Sequence, residues 1–194
     1  MSTSPSPAVP VLNIANILTV VRILLVPFFV WFLLLDDARG ELFRWLAILT
    51  FMVAIYTDKL DGDLARSRGL ITDFGKIADP IADKLLIGSA LVLLSVLGEL
   101  WWWVTVVILL RELGITVLRF AVIRYGVMPA SRGGKLKTVV QTAAIFLFLL
   151  PLEALGTWAW VLGAVVMGAA VVITVVTGVD YVVQAIRLRA RARA

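Results

Sequence analysis

Apolar residues gather into six stretches along this chain, at about 14–35, 45–57, 77–98, 101–118, 138–152 and 157–186. A helix that crosses a bilayer needs about 20 residues. The second stretch is short of that unless the polar run after it continues the same helix, and the pattern is read here as doing so. Backbone polar groups in lipid must be satisfied within the chain itself. The pattern therefore predicts an all-α, integral membrane protein with six transmembrane helices in one domain over 11–187. Residues 1–10 are polar, rich in Pro and Ser, and lack the basic region of a signal peptide, so they read as a disordered tail. Residues 188–194 read as a short basic tail.

Composition supports the membrane reading. The chain is 61% apolar with a mean hydropathy of +1.01, against roughly 45–50% apolar in soluble domains. Its charges are unevenly placed. Lys59, Arg66, Arg68 and Lys76 lie between the second and third stretches, and Arg119, Arg124, Arg132, Lys135 and Lys137 between the fourth and fifth. Arg187, Arg189, Arg191 and Arg193 close the chain, while the alternate turns around Glu99 and Glu153 carry no basic residue. The positive-inside tendency then puts both termini and the 58–76 segment on the cytoplasmic side of a bacterial-type cell membrane. Trp31, Trp45, Trp101, Trp102, Trp103, Trp158 and Trp160 all fall near the opposite turns, as interfacial indoles should. The net charge of +5 is explained by this topology and by contact with anionic membrane lipids. No nucleic-acid partner is expected, because stacking aromatics are not interleaved with the basic runs.

The chain has neither cysteine nor histidine. Disulfides and thiolate chemistry are excluded, and a general base must be a carboxylate, a lysine, a tyrosine or a metal-bound hydroxide. Against that background four aspartates stand out: Asp58, Asp61, Asp79 and Asp83. On a helix Asp58, Asp61, Gly62 and Ala65 share one face, and Asp79 and Asp83 share a face of the next. Gly69 is placed to end the first of these helices, and Thr72 or Asp73 to cap the second. Pro80 is expected to bend that second helix. Oxygen donors without nitrogen or sulfur suit hard cations, magnesium or manganese, and two such ions would offset the mutual repulsion of four carboxylates. Gly62 and Ala65 leave room for a flat group against the backbone, and Arg66 can meet a phosphate or a base.

Taken in order, Asp58, two residues, Asp61-Gly62, two residues, Ala65-Arg66, eight residues, Gly75, three residues, Asp79, three residues and Asp83 resemble the complete signature of the CDP-alcohol phosphotransferases. That resemblance implies the fold of that family, usually a homodimer, and transfer of a phosphoalcohol from a CDP-linked donor to a hydroxyl with release of CMP. It implies that Asp58, Asp61, Asp79 and Asp83 surround two metal ions and that Asp83 doubles as the catalytic base. It also implies CDP binding by Asp58, Asp61, Gly62, Ala65, Arg66 and Asp79. Ala15, Lys59 and Asp63 depart from residues common in the family, all at variable positions.

Three further stretches resemble the bacterial phosphatidylglycerophosphate synthases within that family. Asn13, Asn16, Thr19 and Arg22 lie three residues apart on one face of the first helix. Asn13, Thr19 and Arg22 are candidates for donor or acceptor contact, with an ion pair open for Arg22. The Arg111-Glu112 pair lies inside an apolar run, where charges are expensive unless paired or facing a polar cavity. Arg111, Arg119, Lys135, Lys137 and Thr138 form a candidate site for an acceptor phosphate. The implied substrates are CDP-diacylglycerol and glycerol 3-phosphate. Cardiolipin synthesis from phosphatidylglycerol and phosphatidylinositol phosphate synthesis are the alternatives within the same chemistry. From other classes, a divalent-cation transporter and a non-catalytic lipid-binding scaffold are the alternatives; a transporter should carry its acids near the midplane, often in repeated halves.

Overall fold

The computed structural model describes residue 10 and residues 13–36, 42–70, 72–122 and 132–191. The expected tail over 1–10 lies almost wholly outside them, as do Arg124 and Arg193. The helices are α1 (Ile14–Leu35), α2 (Leu42–Ser67), α3 (Asp73–Val96), α4 (Trp102–Val122), α5 (Arg132–Leu149), the single turn α6 (Leu152–Leu155) and α7 (Thr157–Arg191). No strand occurs among the described residues. The six long helices match the six apolar stretches. Among the described residues α1 and α7 are the two helices long and apolar enough, by length and composition, to cross a membrane. The other four carry ionisable residues within their length, and those residues build the sites described below.

Where the helices begin and end follows from local chemistry. Asn13 caps α1 by accepting a hydrogen bond from the Asn16 N–H at 3.0 Å. The apolar run 45–57 does continue into the polar motif, giving α2 its 26 residues. α2 stops at Gly69, whose φ of +65° is the left-handed value that favours glycine, and the Leu70 N–H turns back to the Ala65 carbonyl at 3.0 Å. Thr72, rather than Asp73, caps α3: its hydroxyl accepts from the Gly75 N–H at 3.1 Å, while Asp73 is exposed and pairs with Lys76 at 2.8 Å. α3 then runs on through Pro80 to Val96. α7 extends to Arg191, so Arg187 and Arg189 sit on its last turns.

Contacts divide the chain into two compact units, residues 1–90 and 91–194, with the boundary inside α3. In the first, α1 packs on α2. α1 buries Asn13, Asn16, Thr19, Arg22, Val26, Phe29 and Leu33, a three- and four-residue spacing that makes one continuous face. α2 answers with Ala47, Ile48, Phe51, Ala54, Thr57 and Asp61, and the Phe29 and Phe51 rings meet 5.7 Å apart. Lipid is as apolar as these side chains, so the apolar half of this contact gains close packing rather than escape from water. Its polar half, from Asn13 to Arg22 against Thr57 to Asp61, needs a different explanation.

In the second unit α7 packs on α4, α5 and α6. Ala144, Ile145, Phe148 and Leu149 of α5 and Met167 and Ala170 of α7 are buried. The Thr105 hydroxyl of α4 donates to the Leu91 carbonyl at 3.1 Å and lies 2.7 Å from the Ser95 hydroxyl, tying α4 to the C-terminal part of α3. Trp101 and Trp160 meet edge to face at 5.8 Å near the starts of α4 and α7.

Candidate active site

The polar half of α1 faces the aspartate motif. Arg22 is fully buried and forms ion pairs with Asp58 at 2.6 Å and with Asp61, whose side chain is also buried. A lone guanidinium at that depth would cost several kcal/mol, so the two carboxylates supply the compensation burial demands. The sequence left the partner of Arg22 open; within α1 and α2 it is the acid pair. Three residues earlier, the Thr19 hydroxyl lies 2.6 Å from Asp79 and 3.2 Å from Asp61. One side chain of α1 thereby brings an acid of α2 and an acid of α3 within reach of a single hydroxyl. Asn13 caps α1, and its amide nitrogen donates to the Pro10 carbonyl at 2.9 Å and to the Leu70 carbonyl at 3.5 Å.

Asn16 and Thr72 hold α1 to the start of α3. The Asn16 amide nitrogen donates to the Thr72 hydroxyl at 2.8 Å, and that hydroxyl lies 3.0 Å from the Asn16 amide oxygen. This junction explains Gly75. A Cβ at that position would come 3.0 Å from the Asn16 amide oxygen and 3.4 Å from the Thr72 hydroxyl, so the signature glycine is where α3 needs bare backbone. Thr72 escaped notice as a site residue, although its place three residues before Gly75 gives the cap signal that could have found it.

A cleft of about 160 Å³ opens between these elements, lined by Asn16, Thr19, Gly62, Ala65, Arg66, Thr72, Gly75 and Asp79 among others. Five of the signature positions therefore share one concavity. The space over Gly62 is taken by the exposed guanidinium of Arg66, which pairs with Asp63 at 2.9 Å and lies 3.1 Å from where a Gly62 Cβ would stand. That side chain is exposed and its surface ion pair is weak, so it can leave Asp63 for a phosphate.

The acids also bear on metal binding. Among the described residues no three acidic side chains stand close enough to hold one ion together as they are placed. Asp58 and Asp61 are joined by Arg22, and Asp61 and Asp79 by Thr19; Asp83 is half-buried one turn beyond Asp79 on α3. The donor set itself is four carboxylates, the chemistry that magnesium and manganese prefer.

The residues read as an acceptor site fall in the second unit and separate into two groups. Glu112 accepts from Arg111 at 2.9 Å and from Lys137 at 2.6 Å, and the second terminal nitrogen of Arg111 donates to the Thr177 hydroxyl at 3.0 Å. Arg119 donates to the Tyr181 hydroxyl at 2.9 Å. Arg111 and Arg119 thus meet α7, and Lys137 joins Arg111 through Glu112. Lys135 and Thr138 are exposed on α5, and the Thr138 hydroxyl donates to the Gly134 carbonyl at 3.2 Å. Thr177 and Tyr181 were missed because they lie in a long apolar run. The available signal was the spacing of Thr174, Thr177 and Tyr181, three inward-facing polar residues three and four apart.

With this geometry in place, comparison with known families matches residues 12–176 to the CDP-alcohol phosphatidyltransferase family. The chain belongs to that family, a family of membrane enzymes that are generally dependent on divalent metal. Similar proteins include a probable phosphatidylglycerophosphate synthase of Mycobacterium tuberculosis (strain CDC 1551), 56% identical over 90% of this chain and 82% of the relative. The CDP-diacylglycerol–glycerol-3-phosphate 3-phosphatidyltransferase of Rickettsia typhi is 36% identical over 87% of this chain and 94% of its own. That of Bacillus subtilis is 34% identical over 87% and 93%. An enzyme family with an intact signature leaves no support for the transporter and scaffold alternatives.

Proposed function

We propose that the protein transfers the phosphatidyl group of CDP-diacylglycerol to a hydroxyl of sn-glycerol 3-phosphate, giving phosphatidylglycerophosphate and CMP. The observation that carries this reading is the convergence of Gly62, Ala65, Arg66, Gly75 and Asp79 on one cleft, with Asp61 tied to its wall through Thr19. The names of the similar proteins supply the acceptor.

In this reading the cytidine lies against the bare backbone of Gly62 and the small side chain of Ala65, and Arg66 leaves Asp63 to meet the donor's phosphates. Asp58, Asp61, Asp79 and Asp83 would hold the two divalent ions. Bound magnesium or manganese would neutralise the diphosphate and ease departure of CMP. The acceptor hydroxyl oxygen attacks the phosphorus that carries diacylglycerol. A new oxygen–phosphorus bond forms, the bond to the CMP oxygen breaks with its electron pair, and the hydroxyl proton passes to Asp83. Arg111, Arg119 and Lys137 bind the acceptor phosphate, with Lys135 and Thr138 as outer contributors.

The placement of basic residues and tryptophans supports a multi-pass arrangement with both termini and the active site cytoplasmic. A homodimer follows from the family resemblance. The test is an assay of purified protein with CDP-diacylglycerol and a panel of acceptors, following CMP and lipid product with and without magnesium or manganese. Glycerol 3-phosphate should be preferred over phosphatidylglycerol and inositol phosphate, and product should depend on metal; preference for either competitor would replace the acceptor assignment.

A further inference from the structure

α7 surrounds one side chain of the acceptor site on three sides. Thr177 accepts from a terminal nitrogen of Arg111 at 3.0 Å. Gly178 lies so close to the arginine stem that a Cβ there would come 3.2 Å from its Cγ. The buried Tyr181 ring stands beneath the Arg111 guanidinium, 5.6 Å from its centroid. The same ring also takes the Arg119 guanidinium, at 4.9 Å, while its hydroxyl accepts from Arg119.

Two guanidinium groups against one buried ring repel each other, and a face of π electrons offsets that only in part. Two cations, Arg111 and Lys137, share the Glu112 carboxylate, and Arg119 joins the same network through Tyr181. The Arg111 Nε, buried, finds no hydrogen-bond partner among the described residues. Nor does the buried Thr174 hydroxyl one turn before Thr177. Excess positive charge beside an unspent Arg111 Nε donor suits an anion.

We infer that Thr177, Gly178 and Tyr181 of α7 are positioning residues that hold Arg111 and Arg119 as a pair for the phosphate of the acceptor. The inference rests on the acceptor assignment above and deepens it. Tyr181 does not touch the reacting atoms; it acts by fixing where the two cations stand.

The test compares wild type with Tyr181→Phe, Tyr181→Leu and Thr177→Val. Glycerol 3-phosphate binding is measured by calorimetry on the purified protein, and KM is measured separately for donor and acceptor. Tyr181→Leu removes both the ring and the hydroxyl and should weaken acceptor binding on the order of tenfold, with the donor KM unchanged. Tyr181→Phe keeps the ring and should recover most of that loss, leaving a roughly threefold deficit from the missing bond to Arg119. Thr177→Val should give a deficit of about the same size as Tyr181→Phe. Acceptor binding equal to wild type in the three variants, or a donor KM raised as much as the acceptor KM, would overturn the positioning role while leaving the acceptor assignment intact. Failure of the wild type itself to bind glycerol 3-phosphate would overturn both. Should Tyr181→Leu not fold, the two milder variants decide.

Discussion

Arg22 and Asp58 meet at 2.6 Å, the arginine fully buried in α1 and the aspartate half-exposed on α2, with the buried Asp61 on the same guanidinium. One cation thereby offsets part of the repulsion between two acids of the signature. Removing the cation deprives Asp58 and the buried Asp61 of this ion pair. Arg22→Leu should destabilise the metal-free protein by about 3 kcal/mol, since it strips a buried charge of its partner. Thermal unfolding in a chelator, compared with unfolding in magnesium, measures this. The deficit should shrink when magnesium is present, because divalent ions replace the missing charge.

Thr19 links Asp79 at 2.6 Å to Asp61 at 3.2 Å. Thr19→Val keeps the shape and removes the hydroxyl. A hydrogen bond to a charged group contributes about 1.5–3 kcal/mol, so the variant should lose activity by at least tenfold at low magnesium. Titrating activity against magnesium checks it: the curve should move to higher concentration.

Two signature glycines should respond differently to alanine. At Gly75 the added methyl meets the Asn16 amide oxygen at 3.0 Å, and Asn16 is held by Thr72. Overpacking of this kind costs about 1–3 kcal/mol, and the melting temperature of Gly75→Ala should fall. At Gly62 the methyl meets only the tip of Arg66, which can swing away. Gly62→Ala should keep wild-type stability and raise the KM for CDP-diacylglycerol. Equal loss of stability in both would contradict the distinction.

Lys137 is buried against Glu112 at 2.6 Å, and Lys135 is exposed. Lys137→Met should raise the glycerol 3-phosphate KM by tenfold or more, as loss of a charge-assisted contact does. Lys135→Met should raise it a few-fold at most. Neither should alter the donor KM, and steady-state kinetics with each substrate varied in turn reads the split.

Much of this was legible in the residues alone. The three-residue spacing of Asn13, Asn16, Thr19 and Arg22 announced one helix face, and that face is the buried one. The end of α2 at Gly69 followed from glycine's access to positive φ. What the spacing could not give is which groups meet across helices. Arg22 could have served donor, acceptor or acid until α1 lay against α2. Thr72 and Asp73 were equal candidates to cap α3 until one proved buried and the other exposed. Tyr181 gave only the weak signal of its spacing from Thr174 and Thr177, and its meaning comes from the two arginines that α4 brings to it.

The central claim is that the acids of α2 and α3 carry the transfer, with Asp83 taking the proton of the attacking hydroxyl. Asp83→Asn tests it most directly, in an assay that follows CMP release alongside binding of CDP-diacylglycerol. Donor binding should persist while CMP release falls by a factor on the order of 10²–10⁴; CMP released at the wild-type rate would contradict the assignment.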